Sequence, residues 1–293
     1  MTPFSASEAA LEGFRLTRER PGAILAWCGV YLLGLLVIAA LMSASLGPEF
    51  VAIARKGPFS PEDIDAVANM LARSWPAFLL VLLVAVTLMS IITAGIYRLV
   101  LRPGETGFLH LRLGADEARL TAVNLMLYAV GMVCLMIGFV AAAAASQGGS
   151  MVAFVAAVAV GALTVWVGVR LSLVTPMTFA LRRITLTPAW QLTRGRFWPL
   201  LGMIVMAVVF WVMVWLLLAV IGAAVVTLTG GSQAMTGSNV GALAMLGAVL
   251  TILIQMVLQV LQLVMIYGPF AVAYQQLHGD APANPLRTQP SAG

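Results

Sequence analysis

Hydropathy along the chain resolves into six long apolar runs separated by short polar stretches. The runs cover residues 22–46, 76–97, 120–146, 151–169, 199–228 and 240–277, and none contains Asp, Glu, Lys or Arg. A helix needs about 20 residues to cross the hydrocarbon core of a bilayer. Backbone groups in lipid must be hydrogen-bonded within their own segment, so each run is predicted to be a helix. The expected fold is all-α: a polytopic membrane protein with six transmembrane helices. The first run is too long for a signal-peptide core of roughly 7–15 residues and is read as a retained span, although Ser43-Ala44-Ser45 resembles a cleavage site. No gap between runs is longer than residues 47–75, which leaves no room for a soluble domain.

The polar stretches carry shorter elements. Ser5-x-x-Glu8 forms a capping box, with Phe4 placed as a hydrophobic staple, and predicts a helix whose Leu11 and Phe14 share one face. Thr187 before Pro188 reads as an N-cap with proline at N1, and Gly195 as the matching C-cap. Ile64, Val67, Ala68, Leu71 and Trp75 recur at helical spacing, predicting an amphipathic helix over residues 61–75 on the outer face, started by Ser60 and Pro61. Residues 108–113 alternate apolar and polar, which predicts a short extended segment with Leu109, Leu111 and Leu113 inward. Short amphipathic helices are therefore expected on both faces of the membrane.

Two stretches share the pattern aromatic-x-Leu-Thr-Arg-x-Arg: Phe14 to Arg20 and Trp190 to Arg196. Each precedes a span, and the pairs of spans end alike, which suggests three helical hairpins as an internal repeat. The other reading is that basic-aromatic motifs recur at interfaces in any case. Both stand on sequence alone.

Composition sharpens the class. Apolar residues make up 61% and charged residues 9% of the chain, where a soluble domain carries about 25% charged. Mean hydropathy is +1.01. A soluble globule, a disordered chain and a secreted disulfide scaffold are excluded. The two cysteines, Cys28 and Cys134, lie in apolar runs and read as packing residues. All but one of the 16 basic residues are arginine. Thirteen fall on one side of the expected topology: Arg15, Arg18 and Arg20; Arg98, Arg102, Arg112 and Arg119; Arg170, Arg182, Arg183, Arg194 and Arg196; and Arg287. Only Arg55, Lys56 and Arg73 fall on the other. By the positive-inside rule both termini are expected in the cytoplasm. Residues 1–278 read as one membrane domain, and 279–293, with Pro282, Pro285 and Pro290, as a disordered tail.

Candidate chemistry is sparse. Ionisable side chains occur only near the ends of the runs, whereas ion-coupled carriers keep such groups inside. Thr251, Gln255, Gln259 and Gln262 align on one face of the last span, as a polar stripe facing the bundle or a wet cavity. Asn124 is a further polar candidate. The only histidines are His110 and His278, no HExxH occurs, and no Ser–His pair can form across the membrane. No enzyme activity, metal site, cofactor or nucleic-acid partner is expected. Arg182, Arg183, Arg194 and Arg196, beside aromatic residues, suit contact with lipid phosphate.

At Leu113 to Glu117 and at Trp190 to Trp198 the chain resembles uncharacterised bacterial inner-membrane proteins of the YciC type. It is also similar to the membrane domain fused to some glycerophosphodiester phosphodiesterases. The resemblance implies a six-helix bundle and no reaction. Two functions are open at this point. One is a non-enzymatic membrane-organising or scaffold component with an Arg-rich rim that binds anionic phospholipid. The alternative is a carrier or permease subunit for a neutral or amphipathic solute, using the Gln stripe.

Overall fold

A computed structural model of the chain describes residues 5–55, 63–102, 111, 114–146, 149–229 and 241–279. Within its helices the side chains of residues 46, 48–55, 63–68, 70–71, 145–146, 150 and 279 are not described. Among the described residues nine helices follow one another and no strand occurs. They are α1 (Ala6–Glu19), α2 (Pro21–Arg55), α3 (Asp63–Leu101), α4 (Ala115–Ser146), α5 (Ser150–Leu171), α6 (Val174–Leu181), α7 (Leu186–Leu192), α8 (Phe197–Leu228) and α9 (Ala242–Gly279).

Six segments are long and apolar enough to cross a membrane: Pro21–Ser45, Ala72–Leu101, Ala115–Ala144, Met151–Leu181, Phe197–Leu228 and Ala242–His278. One falls on each apolar run. Their ends differ from the hydropathy boundaries where charge enters the helix. α4 starts at Ala115 rather than near 120, with Asp116 and Glu117 in its first turn, where acids complement the positive helix end. The fourth span passes Arg170 and, after a turn at Ser172 and Leu173, continues as the buried helix α6.

The sequence-predicted short elements fare unevenly. Ser5 caps α1 by accepting from the Glu8 backbone N–H at 3.3 Å. The Ser5 backbone N–H instead donates to Gln276 Oε1, so the reciprocal half of the box is replaced by a contact with α9. α7 starts two residues early, with Thr185 at its N-cap and Thr187 inside it. Its C-cap is Thr193, and Gly195 takes φ +80° in the turn that follows. The 61–75 helix is the first part of α3, interrupted at Ser74 (φ −111°, ψ 21°) just ahead of Pro76. The side chains of Ile64, Val67, Ala68 and Leu71 lie outside the described residues, as do Ser60, Pro61, Phe4 and most of the 108–113 segment. Leu111 is described and reaches Gly95. α2 breaks at Gly47, φ +64°, and its backbone is helical again to Arg55.

Consecutive helices pack side by side as α2 with α3, α4 with α5, and α8 with α9. α1 docks along α9 in antiparallel sense: Ser5 meets Gln276, and Gly13 meets Met265. A Cβ on Gly13 would stand 2.7 Å from Met265 Cα, so only glycine permits this approach. The buried face of α1 is Ala9, Ala10, Glu12, Gly13 and Leu16; Leu11 is exposed, and Phe14 stands at the edge of this face, packed edge-on against Phe210 of α8 at 5.4 Å.

Burial concentrates at the end of the bundle that carries both α1 and the C-terminus of α9. Trp27, Ile96, Tyr97, Leu120, Phe179 and Val264 form the largest cluster there. Ala9, Leu200, Met203, Ala273 and Leu277 form a second, and Val123, Val174, Ala189 and Tyr274 a third. Towards the opposite end the apolar side chains of α4, α5 and α8 are exposed, among them Phe139, Val140, Phe154, Leu217 and Val220. Such surface costs about 25 cal/mol per Å² in water and nothing in hydrocarbon, so this shape suits a bilayer. Hydroxyls along the spans are satisfied by their own helix: Thr87, Ser90, Thr93, Thr164 and Thr251 each donate to the carbonyl four residues back at 2.7–2.9 Å.

Candidate functional site

The crowded end is built around a layer of charge. Arg98, one turn before the end of α3, and Glu117, in the first turn of α4, are 4% and 3% exposed and form an ion pair. Arg102 donates to the Phe179 carbonyl at 3.0 Å, lies 4.8 Å from the Phe179 ring centroid, and approaches Asp116 at 3.4 Å. Arg119 binds Asp116 at 2.8 Å, and Arg182 Nε stands 4.0 Å from the same carboxylate. Arg182 takes a left-handed backbone conformation at the end of α6 (φ 53°), which turns the chain out of the core. Phe179 packs on Tyr97, whose hydroxyl shares a 2.7 Å hydrogen bond with Thr175. The ends of α3, α4 and α6 are thus joined by ionic, cation–π and hydroxyl contacts in one layer, buried at Arg98 and Glu117 and increasingly exposed towards Arg119 and Arg182.

Asn124 lies deeper on α4. Its amide donates to Ser90 Oγ at 2.9 Å, and Ser90 donates onward to the Val86 carbonyl at 2.7 Å. This is interhelical bonding between α4 and α3. Asn124 also lines a cavity of about 450 Å³ between α4, α5, α8 and α9, with Thr175, Ser172 and Tyr267 as polar wall groups and Leu127, Val165 and Phe270 among the apolar ones.

The arginines singled out from sequence occupy the two turns that flank α7. Arg182, Arg183 and Arg194 are exposed and Arg196 is partly exposed. Arg182 is not purely a rim residue, because it also faces Asp116. Trp190, on α7 between these turns, packs edge-on against Trp166 of α5 at 5.2 Å. The guanidinium of Arg170 lies 5.6 Å from each of the two ring centroids. Thr193 Oγ1 donates to the Arg170 carbonyl at 3.3 Å, which fastens α5 to the turn after α7. Trp198, beside Arg196, is among the most exposed side chains of α8.

The polar stripe of α9 is divided. Thr251, Gln255 and Gln259 line a groove of about 340 Å³ against Tyr31 and Leu35 of α2, and Gln262 is not among its lining residues. Thr251 bonds its own helix, and among the described residues the amides of Gln255, Gln259 and Gln262 make no hydrogen bond.

Outside the membrane spans, Glu12 of α1 is buried and paired with Arg15 at 2.7 Å. Burial raises its pKa above the usual carboxylate value, and the Arg15 hydrogen bond and charge only partly oppose this.

Sequence reasoning missed the Arg98–Glu117 pair and the special position of Arg170. A usable signal existed for the first: charges that flank one short inter-helix segment stand at the same depth on neighbouring helices. The chain matches no known protein family, no curated protein and no solved structure.

Proposed function

We propose that this chain is a non-enzymatic component of a bacterial inner membrane that organises anionic phospholipid through an arginine rim. In this reading both termini face the cytoplasm, the six spans form three hairpins, and α1 and α7 lie at the headgroup layer. The observation that carries it is that exposed Arg183 and Arg194 and partly exposed Arg196, on the turns around α7, stand in one segment of chain with Trp190 of α7 and Trp198 at the start of α8. Guanidinium groups bind phosphate as a fork, and tryptophan prefers the headgroup level. Further support comes from the excess of basic residues at this end and the side-by-side packing of consecutive helices.

The test is lipid selectivity in reconstituted membranes. Spin-labelled cardiolipin and phosphatidylcholine are compared for their association with the wild-type protein and with the Arg182→Gln/Arg183→Gln/Arg194→Gln/Arg196→Gln variant. Each basic residue near a surface contributes about 1 kcal/mol towards anionic lipid before screening. The cardiolipin preference of the variant is expected to fall about tenfold or more, and the wild-type preference to weaken at high salt. Equal preference in the two proteins overturns the reading.

A second reading, a carrier for a neutral or amphipathic solute, is favoured by one observation: the unbonded amides of Gln255 and Gln259 in the α2–α9 groove. Gln255 is exposed and Gln259 half-buried on a membrane span, and an amide facing hydrocarbon without a partner is costly, so a wet or ligand-filled groove suits them. Cysteines placed at positions 255 and 259 then react with a membrane-impermeant maleimide. Unreactive thiols at both positions count against a solute path.

A further inference from the structure

Arg170 ends α5 in an arrangement that the rest of the rim does not share. Its Nε and Nη1 are buried and make no hydrogen bond, and among the described residues no carboxylate lies within ion-pair distance of it. Arg15, Arg98, Arg102 and Arg119 all have carboxylate partners. An arginine guanidinium keeps its positive charge inside proteins. Two buried guanidinium nitrogens whose N–H groups lack an acceptor call for an anionic one, because the tryptophan faces offer cation–π attraction but no lone pair for these donors.

We propose that Arg170 is the seat of one anionic phospholipid, its guanidinium fork on the lipid phosphate and Trp166 and Trp190 packed beside it. The proposal rests on the anionic-lipid reading above and assigns its tightest site. The location selects lipid over a soluble anion. Trp166 stands one helical turn further into the span and is 40% exposed, so the site opens towards the region that acyl chains occupy. Arg170 itself lies between Val169, which is buried in the bundle core, and the turn to α6. Trp190 and the Thr193 bond bring the α7 segment over the guanidinium, closing it off from the side of the chain's polar turns.

The experiment is native mass spectrometry of the full-length protein in mild detergent, titrated with phosphatidylglycerol, phosphatidylcholine or inorganic phosphate. The wild type is expected to retain one phosphatidylglycerol more tightly than any further copy. Arg170→Gln should weaken that first binding at least tenfold, and Arg170→Lys, which keeps the charge and loses the fork, should fall between. The fourfold rim variant should keep the first lipid and lose the weaker ones. First-lipid binding by Arg170→Gln equal to wild type overturns the proposal. If the rim variant still loses its weaker lipids, the broader reading survives that failure. If neither variant changes anything, both fall. Tight competition by inorganic phosphate identifies a soluble-anion site and overturns the lipid assignment. Phosphatidylglycerol brominated near its headgroup gives a readout that needs no change at Arg170. Its quenching of tryptophan emission should drop in Trp166→Phe/Trp190→Phe, and unchanged fractional quenching contradicts the site.

Discussion

At the scale of single residues, the buried Arg98–Glu117 pair is the most consequential interaction in the described structure. Two charges removed from water are tolerated because each neutralises the other, and Phe179 lies 5.7 Å from the Arg98 guanidinium. Removing one partner strands the other, which costs about 3–5 kcal/mol. Arg98→Met and Glu117→Leu are therefore each expected to lower the unfolding temperature sharply, as followed by size-exclusion survival after heating in detergent. The double variant should recover most of the loss. A double variant as unstable as the sum of the singles would mean that the pair is not coupled. Glu12 gives the corresponding pH dependence in α1. Its pKa is raised by burial, so the folded form holds the proton more tightly than the unfolded one. The penalty for burying its charge is fully present above the raised pKa, and it is relieved as pH falls through that value. Docking of α1, read as the distance between spin labels at positions 11 and 275, should tighten on acidification, and Glu12→Gln should remove the pH dependence.

At the scale of elements, the existence of the six long helices and of α1 was legible from hydropathy and capping, and their packing faces were not. Leu11 and Phe14 drew attention because large apolar side chains dominate any amphipathic pattern. The face that packs is Ala9, Ala10 and Gly13, since helices in a membrane associate through small residues that let backbones approach. Gly13 is the pivot. Gly13→Ala inserts a methyl group 2.7 Å from Met265 Cα, and overpacking of this kind costs about 1–3 kcal/mol. The same spin-label pair is expected to report a broadened, longer distance in Gly13→Ala, while the spans remain helical by circular dichroism. A distance unchanged from wild type would show that α1 yields without cost. The early start of α4 and the continuation of α5 into α6 escaped the hydropathy boundaries for one reason. Charged residues end an apolar run, yet they need not end a helix when the fold gives the charge a partner: Arg98 of α3 for Glu117, and the rings of Trp166 and Trp190 for Arg170.

At the scale of the whole molecule, the described chain is close-packed at the end that carries α1 and the C-terminal end of α9 and open towards the other. That asymmetry was not legible from sequence, because the outer parts of α4, α5 and α8 are as apolar as the buried residues of α3 and α9. Hydropathy reports suitability for hydrocarbon, whether supplied by lipid or by protein. The arginine rim was legible residue by residue from its aromatic neighbours. The place of Arg170 was not, since its isolation depends on which carboxylates the fold brings to the other arginines. Fixed charge and aromatic rings at one end, and exposed apolar helices at the other, are the features on which the proposed lipid-organising role rests. The most direct measurement is the composition of the lipid that leaves the native membrane with the protein when both are excised together by an amphipathic polymer. The disc around the wild-type protein should be enriched in phosphatidylglycerol and cardiolipin over the bulk membrane, and the disc around the fourfold rim variant should return towards bulk. A wild-type disc of bulk composition would contradict the organising role.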